Sequence, residues 1–143
     1  MSGAGMGVSA EADLLASLLA ALRDDTGVQI VLGNPARLYD DETKAPAYPF
    51  ARLEGHEVVD AGSSEVAGHA HTLTLAAYSQ YGGRVEAREV LGALRVAAEA
   101  MGVTLSGQRI VLVLPIYSDV MRTRDRRRFR GVLRLRIVTE EAA

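Results

Sequence analysis

The last segment of the chain alternates between apolar and basic residues, and this pattern constrains the fold more than any other feature. Its odd positions are apolar, namely Phe129, Leu133, Leu135 and Ile137. Its even positions include four basic residues, namely Arg128, Arg130, Arg134 and Arg136. Successive side chains of a strand point to opposite faces. Residues 129–139 are therefore predicted to form a half-buried strand with one core face and one strongly basic face.

Other segments also predict strands. Residues 69–80 alternate in the same way, with His71, Leu73 and Leu75 on one face, and this is typical of an antiparallel sheet. Residues 49–59 and 109–121 are predicted as strands, and residues 36–40 as a short one. Within the second of these, the apolar run 110–116, which contains Pro115, predicts a buried strand.

Apolar stripes with helical spacing predict two helices. Leu14, Leu18 and Leu22 recur every four residues, which predicts a helix over residues 10–23 with Ser9 as its cap. A second stripe predicts a helix that opens at Gly82-Gly83 and ends at Gly102. The short apolar segment 28–32 is compatible with either a helical turn or a buried loop.

The order of these elements predicts an α+β fold. We expect a mainly antiparallel sheet of about four to five strands, with two helices packed on one face and a C-terminal β-hairpin that has an arginine-rich turn. Residues 1–8 are rich in glycine and are predicted to be a flexible N-terminal tail, and residues 9–141 are predicted to form one domain. The chain has 143 residues, 48% of them hydrophobic, which is enough for a core without disulfides.

Charge is distributed unevenly along the chain. Residues 1–121 contain 8 basic and 15 acidic residues, whereas residues 122–136 contain 8 arginines and only one acid, Asp125. We call residues 122–136 the basic hairpin. Such a segment contacts nucleic-acid phosphates, contacts acidic surfaces of protein partners, or is simply a solvated turn. The charge covers a whole strand face, which favours a partner, and protein ahead of nucleic acid, because only Phe129 and Tyr117 are nearby for base stacking.

Residues that support catalysis or metal binding are sparse. The chain has no cysteine and no recognised nucleophile, phosphate-loop or metalloprotease motif, so we expect neither an enzyme nor a cofactor. His69 and His71 share one strand face, and His56, Glu54 or Glu57 would have to complete a metal site. The spacing fits no known zinc motif, so polar side chains near a strand end are the favoured interpretation.

Two loops also have an alternative interpretation. Gly82-Gly83 before a helix is a candidate anion site, but a tight strand-to-helix connection is more common. Asp40, Asp41 and Glu42 are candidate cation ligands, but they lack the oxygen spacing of a calcium loop and favour a solvated acidic loop. No segment has the character of a signal peptide or reaches the roughly 20 apolar residues of a membrane span, so a soluble, cytoplasmic protein with no membrane contact is expected.

Several segments, in order, resemble one protein family. They are residues 37–40 (RLYD), 48–50 (YPF), 71–75 (HTLTL), 78–79 (YS), 82–84 (GGR), 86–87 (EA) and 130–136 (RGVLRLR). Together they make the chain similar, from about residue 14 to residue 140, to the phage tail completion or tail terminator family, also found in prophages and gene transfer agents.

The resemblance implies a structural role in virion assembly. It implies a homo-hexameric ring at the head-proximal end of a tail, which ends tube polymerisation and joins the tail to the head connector. The implied partners are other copies of the chain, the major tail tube protein and the head–tail connector or stopper protein, with DNA passing through the ring without specific binding. The subunit would assemble in the cytoplasm and then belong to the particle. The family has no catalytic residues to carry over.

A head-to-tail ring uses two different surface patches on each subunit. We hypothesise that the basic hairpin meets acidic surfaces of a neighbouring subunit or of the tube. The candidate interface residues are Arg122, Arg124, Arg126, Arg127, Arg128, Arg130, Arg134, Arg136, Asp40, Asp41 and Glu42. The alternative function is a nucleic-acid-binding module that uses the same basic β-ribbon.

Overall fold

The computed structural model describes residues 3–101, 104–105 and 107–141. These residues form three helices and six strands. In chain order they are α1 (Gly3–Asp24), α2 (Thr26–Leu32), β1 (Leu38–Tyr39), β2 (Phe50–Asp60), β3 (Gly68–Ser79), α3 (Gly83–Glu99), β4 (Thr104–Leu105), β5 (Gln108–Arg122) and β6 (Phe129–Glu141).

The six strands form one sheet in the order β1-β2-β3-β6-β5-β4. Every neighbouring pair is antiparallel except β1 and β2, which are parallel over two residues. β2, β3, β6 and β5 are long, and the two-residue strands β1 and β4 flank them. The predicted α+β class and mainly antiparallel sheet are confirmed, and β5 and β6 form the C-terminal hairpin.

The core lies between the helices and one face of the sheet. The leucines predicted as the stripe of α1 are buried, as are the strand residues that alternate toward the helices. The buried strand residues of this core are Leu38, Ala51, Leu73, Leu75, Ala77, Leu133, Leu135 and Ile137. The alternation predicted for β3 and β6 is therefore confirmed, and the opposite sheet face is not covered by the helices.

The short apolar segment after α1 is helical. The Asp25 carboxylate accepts a hydrogen bond from the backbone N–H of Val28 at 3.0 Å and so caps α2. Val28 and Leu32 are buried in the core, and Gly33 follows at φ 85°, where glycine is favoured. This decides between the two structures that the sequence left open for residues 28–32.

Two glycines allow α3 to sit close to the sheet. Gly83 begins the helix at φ 68°, and residues 80–82 connect it to β3, as predicted from the glycine pair. Glu86 in the first turn of α3 accepts a hydrogen bond from the Ser79 hydroxyl at 2.7 Å. On β6, a Cβ atom added to Gly131 would lie 2.9 Å from Leu91 Cδ1 of α3, so the helix approaches the strand where there is no side chain.

The start of α1 and the presence of β4 differ from the predictions. α1 begins at Gly3, so Ser9 lies within the helix and does not cap it. Extending a formed helix adds a hydrogen bond for each residue fixed, which explains growth beyond the apolar stripe. The mobility predicted for residues 1–8 stays a prediction, and Gly102 lies outside the described residues. The strand β4 was not predicted because two residues carry no periodicity.

The prediction that residues 110–116 form a buried strand is wrong in one respect. They lie in β5, but most of their side chains are exposed. β5 has β6 on one side, whereas on the other side β4 covers only Gln108 and Arg109. The apolar run therefore lies at the margin of the sheet rather than in its centre. Among the described helices, none has the length and apolar character needed to cross a membrane.

Candidate assembly interface

The basic hairpin extends from the end of β5 through a turn into β6. Cross-strand neighbours share a sheet face, and the register pairs Arg130 with Tyr78, Arg134 with Thr74 and Arg136 with Thr72. The core residues of β6 alternate with these arginines, so the arginines lie on the face away from the helices. The strongly basic face predicted for the last strand is therefore present.

The turn between the two strands is organised by its only acid. The Asp125 carboxylate accepts hydrogen bonds from the Thr123 hydroxyl at 2.6 Å and from the backbone N–H of Arg127 at 3.0 Å. The Arg128 guanidinium lies 3.3 Å from the same carboxylate. These hydrogen bonds, the one from Thr123 first, hold the pKa of Asp125 below its ordinary value. The turn thus has a defined shape, with Arg126 at φ 62°.

Three arginines of the hairpin are engaged within the chain. Arg122 lies over the Phe129 ring, 4.6 Å from its centroid, and donates to the carbonyl of Arg126. Arg128 lies 5.4 Å from the centroid of Tyr48 in addition to its contact with Asp125. Arg130 forms an ion pair with Glu54. These contacts fix the three arginines where β5 ends and β6 begins.

The remaining arginines are more available. Arg134 is exposed and lies 5.1 Å from the centroid of Tyr117. Within the described residues, the other four guanidinium groups make no hydrogen bond or ion pair, although Arg127 acts on Asp125 through space. They belong to Arg124, Arg126, Arg127 and Arg136, all exposed. The structure therefore divides the predicted interface arginines into an anchored set and a free set.

A cluster centred on Glu54 joins three strands on the same face. Its carboxylate pairs with Arg130 of β6, with Arg52 of β2 at 3.1 Å, and accepts from the Tyr78 hydroxyl of β3 at 2.5 Å. Burial raises the pKa of Glu54, but these hydrogen bonds outweigh burial and hold it below the ordinary value. The sequence indicated Glu54 only as a possible metal ligand, since the contacts depend on a strand register that no local pattern reveals.

The acidic loop lies beside β2. Asp40, Asp41 and Glu42 are exposed directly after β1, and Glu42 lies 3.8 Å from Arg52. Arg52 binds Glu54, which in turn binds Arg130, so the acidic loop and the basic hairpin are connected across the sheet. The loop and the hairpin turn lie at the same end of the sheet, where Arg128 also lies over Tyr48.

An exposed apolar row runs along β5, and sequence analysis missed it. Its large side chains are 42–50% exposed. They are Val111, Leu112, Leu114, Ile116, Tyr117 and Met121. The register places Leu112, Leu114 and Tyr117 opposite Val138, Arg136 and Arg134 of β6, on the face away from the helices. Pro115 was the feature that could have identified a marginal strand, because proline is confined to sheet edges and bulges.

The three histidines lie on the helix-facing side of the sheet. His56 Nε2 and His71 Nδ1 are 3.0 Å apart, and the rings of His69 and His71 have centroids 6.2 Å apart. Burial, followed by the neighbouring His56 and His69, lowers the pKa of His71 to about 4. Glu57 pairs with Thr72 on the opposite face. Within the described ranges, no group of three His, Asp or Glu side chains is arranged to hold a metal.

Comparison with known proteins identifies both a shared fold and a family for this chain. A chain in the solved virion of a native gene transfer agent particle matches with a TM-score of 0.73 and 22% sequence identity, over 90% of this chain and 96% of that one, so the two share a fold. No curated protein sequence matches. The family model described as tail completion protein gp17 matches residues 16–140, which confirms the resemblance drawn from the sequence. The chain therefore belongs to the tail completion protein gp17 family and is a structural component of a virion tail.

Proposed function

We propose that the chain is a tail terminator subunit that acts as a six-membered ring at the head-proximal end of a phage-like tail. In this role it ends polymerisation of the tail tube and joins the tail to the head connector. Its partners are further copies of itself, the major tail tube protein and the head–tail connector or stopper protein, and DNA passes through the ring without specific binding. It assembles in the cytoplasm and acts by binding alone, without catalysis or a cofactor. Membership of the tail completion family supports the proposal.

The observation that carries the proposal is the free set of arginines on a turn of defined shape. Arg124, Arg126 and Arg127 project from a turn that Asp125 and Thr123 hold in place. A rigid support reduces the entropy that is lost when such side chains are ordered in a complex. The planar guanidinium group binds carboxylates through two parallel hydrogen bonds, so an acidic protein surface is a suitable partner.

The surroundings of these arginines favour protein over nucleic acid as the partner. Three aromatic rings near the hairpin already have an arginine over them: Arg128 lies over Tyr48, Arg84 and Arg122 lie over Phe129, and Arg134 lies over Tyr117. Proteins that bind single strands stack bases on free aromatic faces. Because these three rings are occupied, phosphate contact is favoured over base stacking as a nucleic-acid mode for this surface.

The test removes the free charges of the turn. We would combine Arg124→Ser, Arg126→Asn and Arg127→Ser, using asparagine at position 126 because it tolerates positive φ. We expect affinity for the tail tube protein of the same particle to fall about tenfold, since exposed ion pairs contribute up to about 1 kcal/mol each. Binding is measured by surface plasmon resonance, and the number of copies on the tube by native mass spectrometry.

A matched control removes the same number of charges elsewhere. Lys44, Arg88 and Arg95 are exposed cations outside the hairpin, and their replacement by serine should change the affinity less than about twofold. Unchanged tube binding by the turn variant would contradict the role given to the hairpin. Tight, steeply salt-dependent binding of bare duplex DNA that disappears in the same variant would instead support the nucleic-acid-binding alternative.

A further inference from the structure

The row of apolar side chains along β5 is a surface that the arginine-rich turn does not explain. Six large apolar residues of this strand are 42–50% exposed. Contiguous exposed apolar surface on a small protein commonly marks a contact with another macromolecule. The row lies next to the arginines of β6, because Leu114 is opposite Arg136 and Tyr117 is opposite Arg134. A partner of this surface must therefore offer apolar side chains together with negative charge.

The backbone of β5 is poorly suited to adding another strand. Pro115 lacks an N–H group, and the register shifts between Ile110 and Leu112 and again between Pro115 and Tyr117. Proline and bulges on an edge strand interrupt the row of donors and acceptors that a neighbouring strand would need. The side chains of β5, rather than its backbone, are thus the groups available for a contact.

The opposite margin of the same sheet has the complementary composition. On β2, Val59 is 60% exposed, and Glu57 and Asp60 are exposed beside it. Across the sheet, Val59 lies in the same register row as Leu112, and Glu57 in the same row as Leu114 and Arg136. Within the described residues, neither the Glu57 carboxylate nor the Arg136 guanidinium makes a hydrogen bond or ion pair. One margin of the sheet, at β2, therefore combines acidic and apolar side chains, and the other, at β5, combines apolar side chains with the neighbouring arginines of β6.

We propose that the β5 row of one subunit packs against the β2 margin of a second copy, with Arg136 of the first near Glu57 of the second. This contact uses two different patches and is head-to-tail, the type that closes into a ring when the rotation allows. β2 and β5 run in opposite directions in the sheet, so a rotated copy brings them side by side in antiparallel orientation. The proposal rests on the proposed ring and identifies its subunit contact, leaving the free arginines of the turn for the tube.

Cysteine pairs test the contact directly, because the natural chain has no cysteine. We would make Val59→Cys, Leu112→Cys and the double variant, and treat each full-length protein with a short bismaleimide, alone and with the tail tube protein. We expect the double variant to form a ladder of covalent oligomers that ends at ring size. Each single variant should stay monomeric under denaturing conditions, because the contact joins two different positions.

Two results would overturn the proposal. One is the absence of a ladder from the double variant in both conditions. The other is a covalent dimer from Leu112→Cys alone, which would place β5 against β5. Native mass spectrometry of the unmodified protein on the tube tests the ring independently of this contact. Six copies on the tube without a covalent ladder would reject only the β5–β2 contact, whereas a single copy would reject the ring.

A second pair of variants measures the apolar contribution. Leu112→Ser with Leu114→Ser should weaken self-association about tenfold or more, because the leucines no longer remove apolar surface from water. Val85 and Val96 of α3 are also exposed, and their replacement by serine is the matched control that should leave self-association unchanged. Circular dichroism checks that both variants fold. Equal effects from the two pairs would contradict a specific role for β5.

Discussion

At the scale of single residues, Glu54 holds the uncovered sheet face together. Its carboxylate bonds to Arg52, Tyr78 and Arg130, which come from three adjacent strands. We expect Glu54→Gln to lower the free energy of unfolding by about 1–3 kcal/mol, because charge-assisted hydrogen bonds become neutral, Arg130 loses its counter-charge and Arg52 keeps only Glu42. Urea denaturation followed by circular dichroism measures the change.

A comparable ion pair on the surface provides the control for Glu54. Arg95 and Glu99 lie one helical turn apart on α3, 3.0 Å from each other, and both side chains are more than 40% exposed. Glu99→Gln should change the free energy of unfolding by less than about 0.5 kcal/mol. Equal losses from the two substitutions would show that the Glu54 cluster contributes no more than an ordinary surface pair.

His71 makes stability depend on pH. It is 1% exposed, and its pKa of about 4 lies below the ordinary value of 6.5, so the unfolded chain binds a proton more readily than the folded one. This contribution is present in full above the unfolded pKa. It is lost as the pH falls from about 6.5 to about 4, by up to about 3 kcal/mol. Burial lowers the pKa of His56 in the same direction, against the opposing charge of Glu11.

Substitution separates His71 from other acid-sensitive groups. The low pKa of Glu54 also makes the fold lose stability in acid, so the wild-type curve alone is not specific. We expect His71→Gln to show a shallower loss of unfolding free energy between pH 7 and pH 5 than the wild type, as measured by urea denaturation. His69→Gln is the control, and a wild-type slope in the His71 variant would be the contrary result.

At the scale of elements, the packing of α3 on β6 depends on the absence of a side chain at Gly131. A Cβ there would lie 2.9 Å from Leu91 Cδ1 and 3.3 Å from Val120 Cγ2. Leu91 is buried in the core. Gly131→Ala is therefore expected to lower the free energy of unfolding by about 1–3 kcal/mol through overpacking, with a lower thermal midpoint in calorimetry.

The glycine inside α3 is the matched control for Gly131. A Cβ added to Gly92 meets nothing within 4 Å, and its backbone is helical. Gly92→Ala should raise the thermal midpoint, since alanine is favoured in helices by about 1 kcal/mol over glycine. Destabilisation by both substitutions would mean that the open space beside Gly92 is needed for packing.

At the scale of the whole molecule, local patterns predicted α1, α3, the long strands and the faces of β3 and β6. They could not predict strand order, and this explains the error at residues 110–116: an apolar run is buried or exposed according to its place in the sheet. The basic face was predicted, but the separation of its arginines into an anchored set, which includes Arg130, and a free set, which includes Arg124, was not. That separation depends on Glu54, which is 76 positions away in the sequence from Arg130.

The interrupted backbone of β5 protects unassembled subunits from aggregation. An apolar strand at a sheet margin is ordinarily a template for amyloid-like stacking. Because β5 contains Pro115 and two register shifts, unassembled copies of the protein are expected not to convert into fibrils.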